Sequence, residues 1–273
     1  MTQEIKRVIV PLDSASETST AIDTAAQLAA RWRVPLHGVF IEDEELISLA
    51  GLPFARQVTL GAGPEPLTKD HVEDHFRAFA ERARRGLAAA ADQHGVKWSF
   101  EIVRGPLAAD TLRGEHDFVV AGAATRPIGD YFRISSRCWS WMAIIARPFL
   151  LAKREWETGG SVFTLLRRRD PKSARALDIA AQIAGFRSGT LTVAGAPDLA
   201  GSDDFAPWVS GLLEGHSLNL QTESAATEPA ALRRRIIELD CRLLVLEASG
   251  QDAQPDELRE LVEQLACDVL IIR

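Results

Sequence analysis

Residues 8–39 read VIVPLDSASETSTAIDTAAQLAARWRVPLHGV, and this stretch decides the fold. A run of strand-forming residues closes at Asp13, a helical pattern starts within a few positions, and a second apolar run follows over 36–41. Runs this continuous, without strict alternation, mark parallel strands buried on both faces. The pattern returns without a gap at residues 163–192, FTLLRRRDPKSARALDIAAQIAGFRSGTLT. Within it, residues 21–28 (AIDTAAQL) lie against residues 176–183 (ALDIAAQI), with the alanines, the aspartate and the glutamine coinciding. This is the signature of one α/β unit present twice in tandem, over residues 1–154 and 155–273.

Outward from the first stretch, strand and helix patterns alternate. An acidic turn at residues 42–45 leads into a short helix, with its carboxylates at the favourable end of the dipole. Residues 56–69 are rich in glycine and proline and longer than most connections, so a loop that covers something is expected there. A long amphipathic helix over 70–94, a strand over 97–103, a short helix opened by Gly105-Pro106 and a strand over 117–121 follow. A helix capped by Ser135 or Ser136 and a strand over 148–152 close the first copy. The second copy repeats the alternation in shorter form. Such alternation implies doubly wound, Rossmann-like parallel sheets with right-handed crossovers.

Composition narrows the function. The first copy holds 19 basic and 19 acidic residues and the second 12 and 19, so the net charge of −7 belongs to the second copy alone. That balance disfavours nucleic acid as a partner. No apolar run reaches the roughly 18 residues of a membrane span, and the first residues lack a signal-peptide core, so a cytoplasmic, non-membrane protein is expected. Cys138, Cys241 and Cys267 form no C-x-x-C pair and read as reduced, buried thiols. His71 and His75 lie four apart on a helix but have no third ligand nearby, so no metal site is expected. No nucleophile–histidine–acid arrangement has motif support, and no catalytic residue is assigned.

Three stretches carry a resemblance. They are Val8-Ile9-Val10-Pro11-Leu12-Asp13-Ser14, then Val119-Val120-Ala121-Gly122, then Ala146-Arg147-Pro148-Phe149-Leu150-Leu151 with its second-copy counterpart at residues 266–272, ACDVLII. With five strands per unit, an Asp closing the first, and Gly105-Pro106 after the third, the chain resembles the universal stress protein family over nearly its whole length, twice. The resemblance implies strand order 3-2-1-4-5 in each unit. It also implies a nucleotide site in which Asp13 contacts adenosine, the main chain at Ile41 contacts adenine, and a glycine-rich loop after the fourth strand wraps phosphates. Glycines let backbone amides approach phosphate, and a helix N-terminus adds positive potential. Here Gly122 matches the first glycine, Thr125 replaces the second, and Ser135-Ser136 stands for the closing Gly-Ser. The cofactor-binding candidates are therefore Asp13, Ile41, Gly122, Ser135 and Ser136, in a frame that has lost two of three glycines.

The second copy departs further: the ungapped repeat sets Arg168 opposite Asp13 and Glu247 opposite Gly122. Its site reads as dead for ATP. Arg126, Arg133 and Arg137 are weighed as substitute phosphate donors against solvent-facing arginines. The cluster Arg167-Arg168-Arg169 is weighed as an anion site against a strand end paired with acidic neighbours.

The expectation is a tandem, non-enzymatic stress-response sensor or interaction protein with weak or absent ATP binding and no required cofactor. The alternative is an ATP-binding member whose site, for ATP or another adenine nucleotide, lies in the first copy only. The apolar fifth strands, at sheet edges that need cover, are expected to pair as an internal pseudo-dimer. A protein partner of unspecified identity and a homodimer stay open.

Overall fold

The computed structural model describes residues 4–14, 19–57, 63–105, 114, 116–123, 135–156, 159–187, 189–224, 228–247 and 255–273. In chain order the first half contains β1 (Arg7–Leu12), α1 (Ser19–Trp32), β2 (Leu36–Glu42), α2 (Glu44–Ala50), β3 (Arg56–Gln57), β4 (Glu65–Pro66), α3 (Lys69–His94), β5 (Trp98–Arg104), β6 (Asp117–Gly122), α4 (Ser136–Ile144) and β7 (Phe149–Ala152). The second half contains β8 (Ser161–Leu166), α5 (Pro171–Arg187), β9 (Thr190–Gly195), α6 (Pro197–Ala200), α7 (Phe205–Leu212), β10 (Asn219–Ser224), α8 (Pro229–Glu238), β11 (Cys241–Glu247), α9 (Pro255–Gln264) and β12 (Asp268–Ile272).

Ten strands make one sheet in the order β10-β9-β8-β11-β12-β7-β6-β1-β2-β5. Every neighbouring pair is parallel except β12 and β7, which run antiparallel with Leu270 opposite Leu150. The sheet is therefore two five-strand halves joined through their fifth strands, as the need to cover two apolar edges requires. The outer strands β5 and β10 end the sheet with mostly polar exposed residues, Ile102 of β5 being the apolar exception, which suits edges that remain open.

The continuous apolar runs follow from helices on both faces. Val8, Val10 and Leu12 of β1 pack towards α1 and α3, while Ile9 packs in the layer of α4. The octets that repeat in the sequence are the buried stripes of α1 and α5, with Ala25, Ala26 and Leu28 matched by Ala180, Ala181 and Ile183. The two helices also meet across the join, where Trp32 Nε1 donates to Gln182 Oε1 at 2.7 Å and its ring lies 6.0 Å from that of Phe186.

Local signals set the helix ends. Asp43 Oδ1 accepts from the amides of Glu45 (3.0 Å) and Leu46 (3.2 Å), so one member of the acidic run caps α2. Thr68 caps the start of α3, and Gly95, in the left-handed region at φ 66°, ends it. The Gly/Pro-rich connection begins and ends as a ribbon, β3 against β4. The covering role expected of it falls partly on residues 58–62, and the short helix expected after Gly105 falls on 106–113, both outside the described residues.

One residue beyond each fifth strand, a cation reaches the opposite half. Lys153 Nζ donates to Val262 O and, at 2.8 Å, to Leu265 O at the end of α9. Arg273 Nη1 donates to Ala143 O near the end of α4 at 2.6 Å. Each half thus supplies a charge to carbonyls at a helix C-terminus of the other.

Candidate functional site

In each half the chain reverses its direction of travel across the sheet between the first and fourth strands, and open α/β sheets bind ligands at the carboxyl ends flanking such a point. In the first half those ends belong to β1 and β6. Asp13, one residue past β1, is only 4% exposed. Gly122 is the last residue of β6, paired with Ala152. Ser135 caps α4: its Oγ accepts from Cys138 N–H at 3.1 Å and its carbonyl from Trp139 N–H at 3.1 Å. The Cys138 thiol is pushed up to about 12, first by burial and then by the Asp13 carboxylate, so Asp13 lies within electrostatic reach of the first turn of α4.

The structure therefore gathers Asp13 and the N-terminus of α4 at the ends of β1 and β6. The hydroxyl of Ser135 is already used as a cap acceptor, which leaves it as a donor to any ligand. Ser136 opens the helix, and its side chain is outside the described residues, as is that of Arg137. Ile41 is buried on β2 opposite Val103, so only its main chain is placed to serve a ligand. Thr125, Arg126 and Arg133 also lie outside the described residues. Among the described residues, no three His, Cys, Asp or Glu side chains come together as a metal site.

The second half fills the same place with its own charges. Strand register gives the correspondence: Ile9 pairs with Val119 and Val119 with Phe149, as Phe163 pairs with Leu244 and Leu244 with Val269. The antiparallel join relates Phe149 to Val269. Counting along the strands, Glu247 stands where Gly122 does, and Arg167 stands where Asp13 does. This corrects the ungapped repeat, which sets Arg168 there. The offset between copies is 154 residues in this strand and 155 in the helix that follows, so an ungapped alignment slips by one.

Asp170 Oδ1 accepts from the amides of Lys172 (2.8 Å) and Ser173 (2.9 Å) and from Ser173 Oγ (3.2 Å). These donors, the Ser173 amide first, hold its carboxyl below the usual range. Ser173 Oγ also lies 2.7 Å from Arg168 O. Burial pushes the Glu247 carboxyl up and Asp170 adds to this, against the Ser173 hydroxyl and Arg167, which pull it down. Arg169 packs its guanidinium 5.1 Å from the Trp208 ring centre. A phosphate entering here would meet two carboxylates and a helix N-terminus already capped. Sequence reading missed this filling, although Asp170-Pro-Lys-Ser173 is a legible cap pattern.

No family model matches the chain, and no curated protein matches it. Solved structures do. A universal stress protein from Archaeoglobus fulgidus DSM 4304 aligns over 98% of this chain and 96% of its own, with a TM-score of 0.69 at 14% identity. A putative universal stress protein from Pseudomonas aeruginosa UCBPP-PA14 aligns over 99% and 94%, with a TM-score of 0.64 at 16% identity. A functionally unknown protein from Pseudomonas aeruginosa PAO1 aligns over 99% and 93%, with a TM-score of 0.64 at 16% identity. At these identities the likeness is one of architecture, and the chain carries, end to end and twice over, the fold of universal stress protein structures.

Proposed function

We propose that the protein is a non-enzymatic stress-response protein of the universal stress type, made of two domains (residues 1–154 and 155–273). It acts as a sensor or interaction protein, with a weak adenine-nucleotide site in the first domain alone. The observation that supports this is the contrast between the two switch points. In the first, Asp13 stands beside the start of α4, with a glycine ending the neighbouring strand. In the second, Arg167 and Glu247 take those places, and Asp170 holds the helix start. The Asp accepts from a ribose or an adenine, and a phosphate would be received by the first amides of α4, ahead of the Cys138 amide that Ser135 caps.

Two of the three glycines that bring backbone amides against phosphates are replaced, by Thr125 and Ser135. Losing a few amide contacts, at about 1 kcal/mol each, moves a micromolar affinity towards millimolar. Titration calorimetry with ATP and ADP tests this. The expected result is a dissociation constant near the millimolar range, with binding lost in Asp13→Ala. Low-micromolar binding abolished by Asp13→Ala would instead establish a dedicated ATP-binding protein. Capture of a partner from stressed cells tests the interaction role, with mass photometry reporting whether the chain also forms a homodimer.

A further inference from the structure

Two thiols at the entries to β11 and β12 take no part in the site above. Cys241 opens β11, Cys267 immediately precedes β12, and both are buried in the layer of α4, α8 and α9. For Cys267 this follows from alternation, since Val269 and Ile271 share that face while Leu270 and Ile272 take the other. For Cys241 it does not. Leu244 and Leu246 lie on the Cys267 face and Leu243 and Val245 on the opposite one, so strict alternation would send Cys241 away with Leu243.

The ladder breaks at this point. Cys241 pairs with Ser161 and Leu243 with Val162, which leaves Arg242 as the extra residue of a β-bulge. Bulges re-aim side chains, and this one turns Cys241 onto the face of Cys267. The single S–H of Cys241 donates either to Leu243 O, at 3.1 Å, or to the Cys267 sulfur on the same face. The ammonium of Lys153 stands close enough to favour a negative charge on Cys267. Hydrogen bonding from Cys241, with Lys153 behind it, lowers the Cys267 thiol, whereas Cys241 is raised. In the first half the corresponding positions are Asp117, paired with Arg7 at 2.7 Å, and Arg147. The thiol pair belongs to the second half alone.

We propose that Cys241 and Cys267 are a dithiol that hydrogen peroxide converts, in the folded protein, to an intramolecular disulfide. The register sets Leu243 opposite Asp268, so Cys267 falls one step from Cys241 on the neighbouring strand. A strand spacing of about 4.8 Å and a rise of about 3.3 Å per residue keep such a diagonal pair within the Cα separation that a disulfide spans. The Cys267 thiolate attacks one peroxide oxygen, the O–O bond breaks, and hydroxide leaves as water with the proton given up by the thiol. Cys241 then attacks the resulting sulfenic sulfur, the S–O bond breaks, and a second water departs. Two thiols and one peroxide become one disulfide and two waters. Cys138, buried beside Asp13 and pushed up to about 12, stays a thiol.

The test treats folded protein with hydrogen peroxide, alkylates it under denaturing conditions and maps the peptides. The expected result is a fall from three alkylatable thiols to one. The mass should drop by two hydrogens, with a Cys241–Cys267 cross-linked peptide that dithiothreitol reverses. In Cys138→Ser the same peptide forms, and in Cys241→Ser the oxidation stops at acids of Cys267. The wild-type map decides the matter even if a variant fails to fold. Three thiols surviving a dose that oxidises free cysteine would overturn the proposal, as would a cross-link through Cys138 or between two chains.

Discussion

The two halves share their layers and differ where layers end. Both bury the same helix stripe against the same strand order, yet at the end of the first strand one half places Asp13 and the other Arg167. Strand interiors and helix stripes are set by close packing, so the repeated octets stay alike. Residues just past a strand end lie outside the ladder, and their charge can invert without disturbing the sheet: Asp13 is buried there, whereas Arg167 is exposed. The lesson is that a repeat identifies a scaffold, while the chemistry has to be read at the strand ends of each copy separately.

A second contrast lies under the join. The helix repeat places Trp32 in α1 against Arg187 in α5. Trp32 packs on Phe118 with ring centres 4.8 Å apart. Arg187 is buried, its guanidinium 3.9 Å from the Trp156 ring centre and Nη2 3.2 Å from Asp268 Oδ2. Burial lowers the Arg187 pKa and raises that of Asp268, each against the pull of its partner, so desolvation outweighs attraction within the pair. The first half solves with an apolar ring what the second solves with an ion pair.

That difference should break most visibly by substitution. Arg187→Ala takes from the buried Asp268 its guanidinium partner and leaves it the amides of Lys153 and Arg154 and the nearby Lys153 ammonium, and a loss of about 3 kcal/mol in urea unfolding is expected. The double variant Arg187→Met with Asp268→Asn should recover most of it. If Arg187→Ala alone is neutral, the buried pair is not the feature that separates the halves.

Next in size is a pH effect that only the second half's helix cap confers. Burial lowers Lys153 from 10.5 to about 8. Below pH 8 the amine is charged in both folded and unfolded chains, and its burial penalty is constant. As pH rises from about 8 towards 10.5 the folded protein gives up the proton while the unfolded chain keeps it, so stability rises. The gain is on the order of 3 kcal/mol and should be absent in Lys153→Met. Parallel stability curves for the two proteins across that range would contradict the assignment. The smallest effect is expected at the symmetric position: Arg273→Ala removes one bond to Ala143 O and costs about 1 kcal/mol, measured as a shift in the thermal midpoint.

Much of this was legible in the sequence. The repeated octets announced the two copies, the uninterrupted apolar runs announced a sheet covered on both faces, and two apolar edges required the β7–β12 pairing. Asp13 and Gly122 could be placed at strand ends because their strands were unambiguous. The rest depended on pairing that no single stretch encodes. Arg167 takes the place of Asp13 because the two copies differ by one residue between strand and helix. Cys241 faces Cys267 because of a bulge, which exists only relative to β8. Lys153 and Asp268 read as ordinary polar strand ends, and become buried only because the fifth strands meet.

The inequality of the two switch points is tested most directly by amide hydrogen exchange with and without several-millimolar ATP. Protection is predicted in peptides around Asp13, Gly122 and Ser135 and not around Arg167 or Glu247. Protection around Arg167 and Glu247, or at neither switch point, would contradict the account.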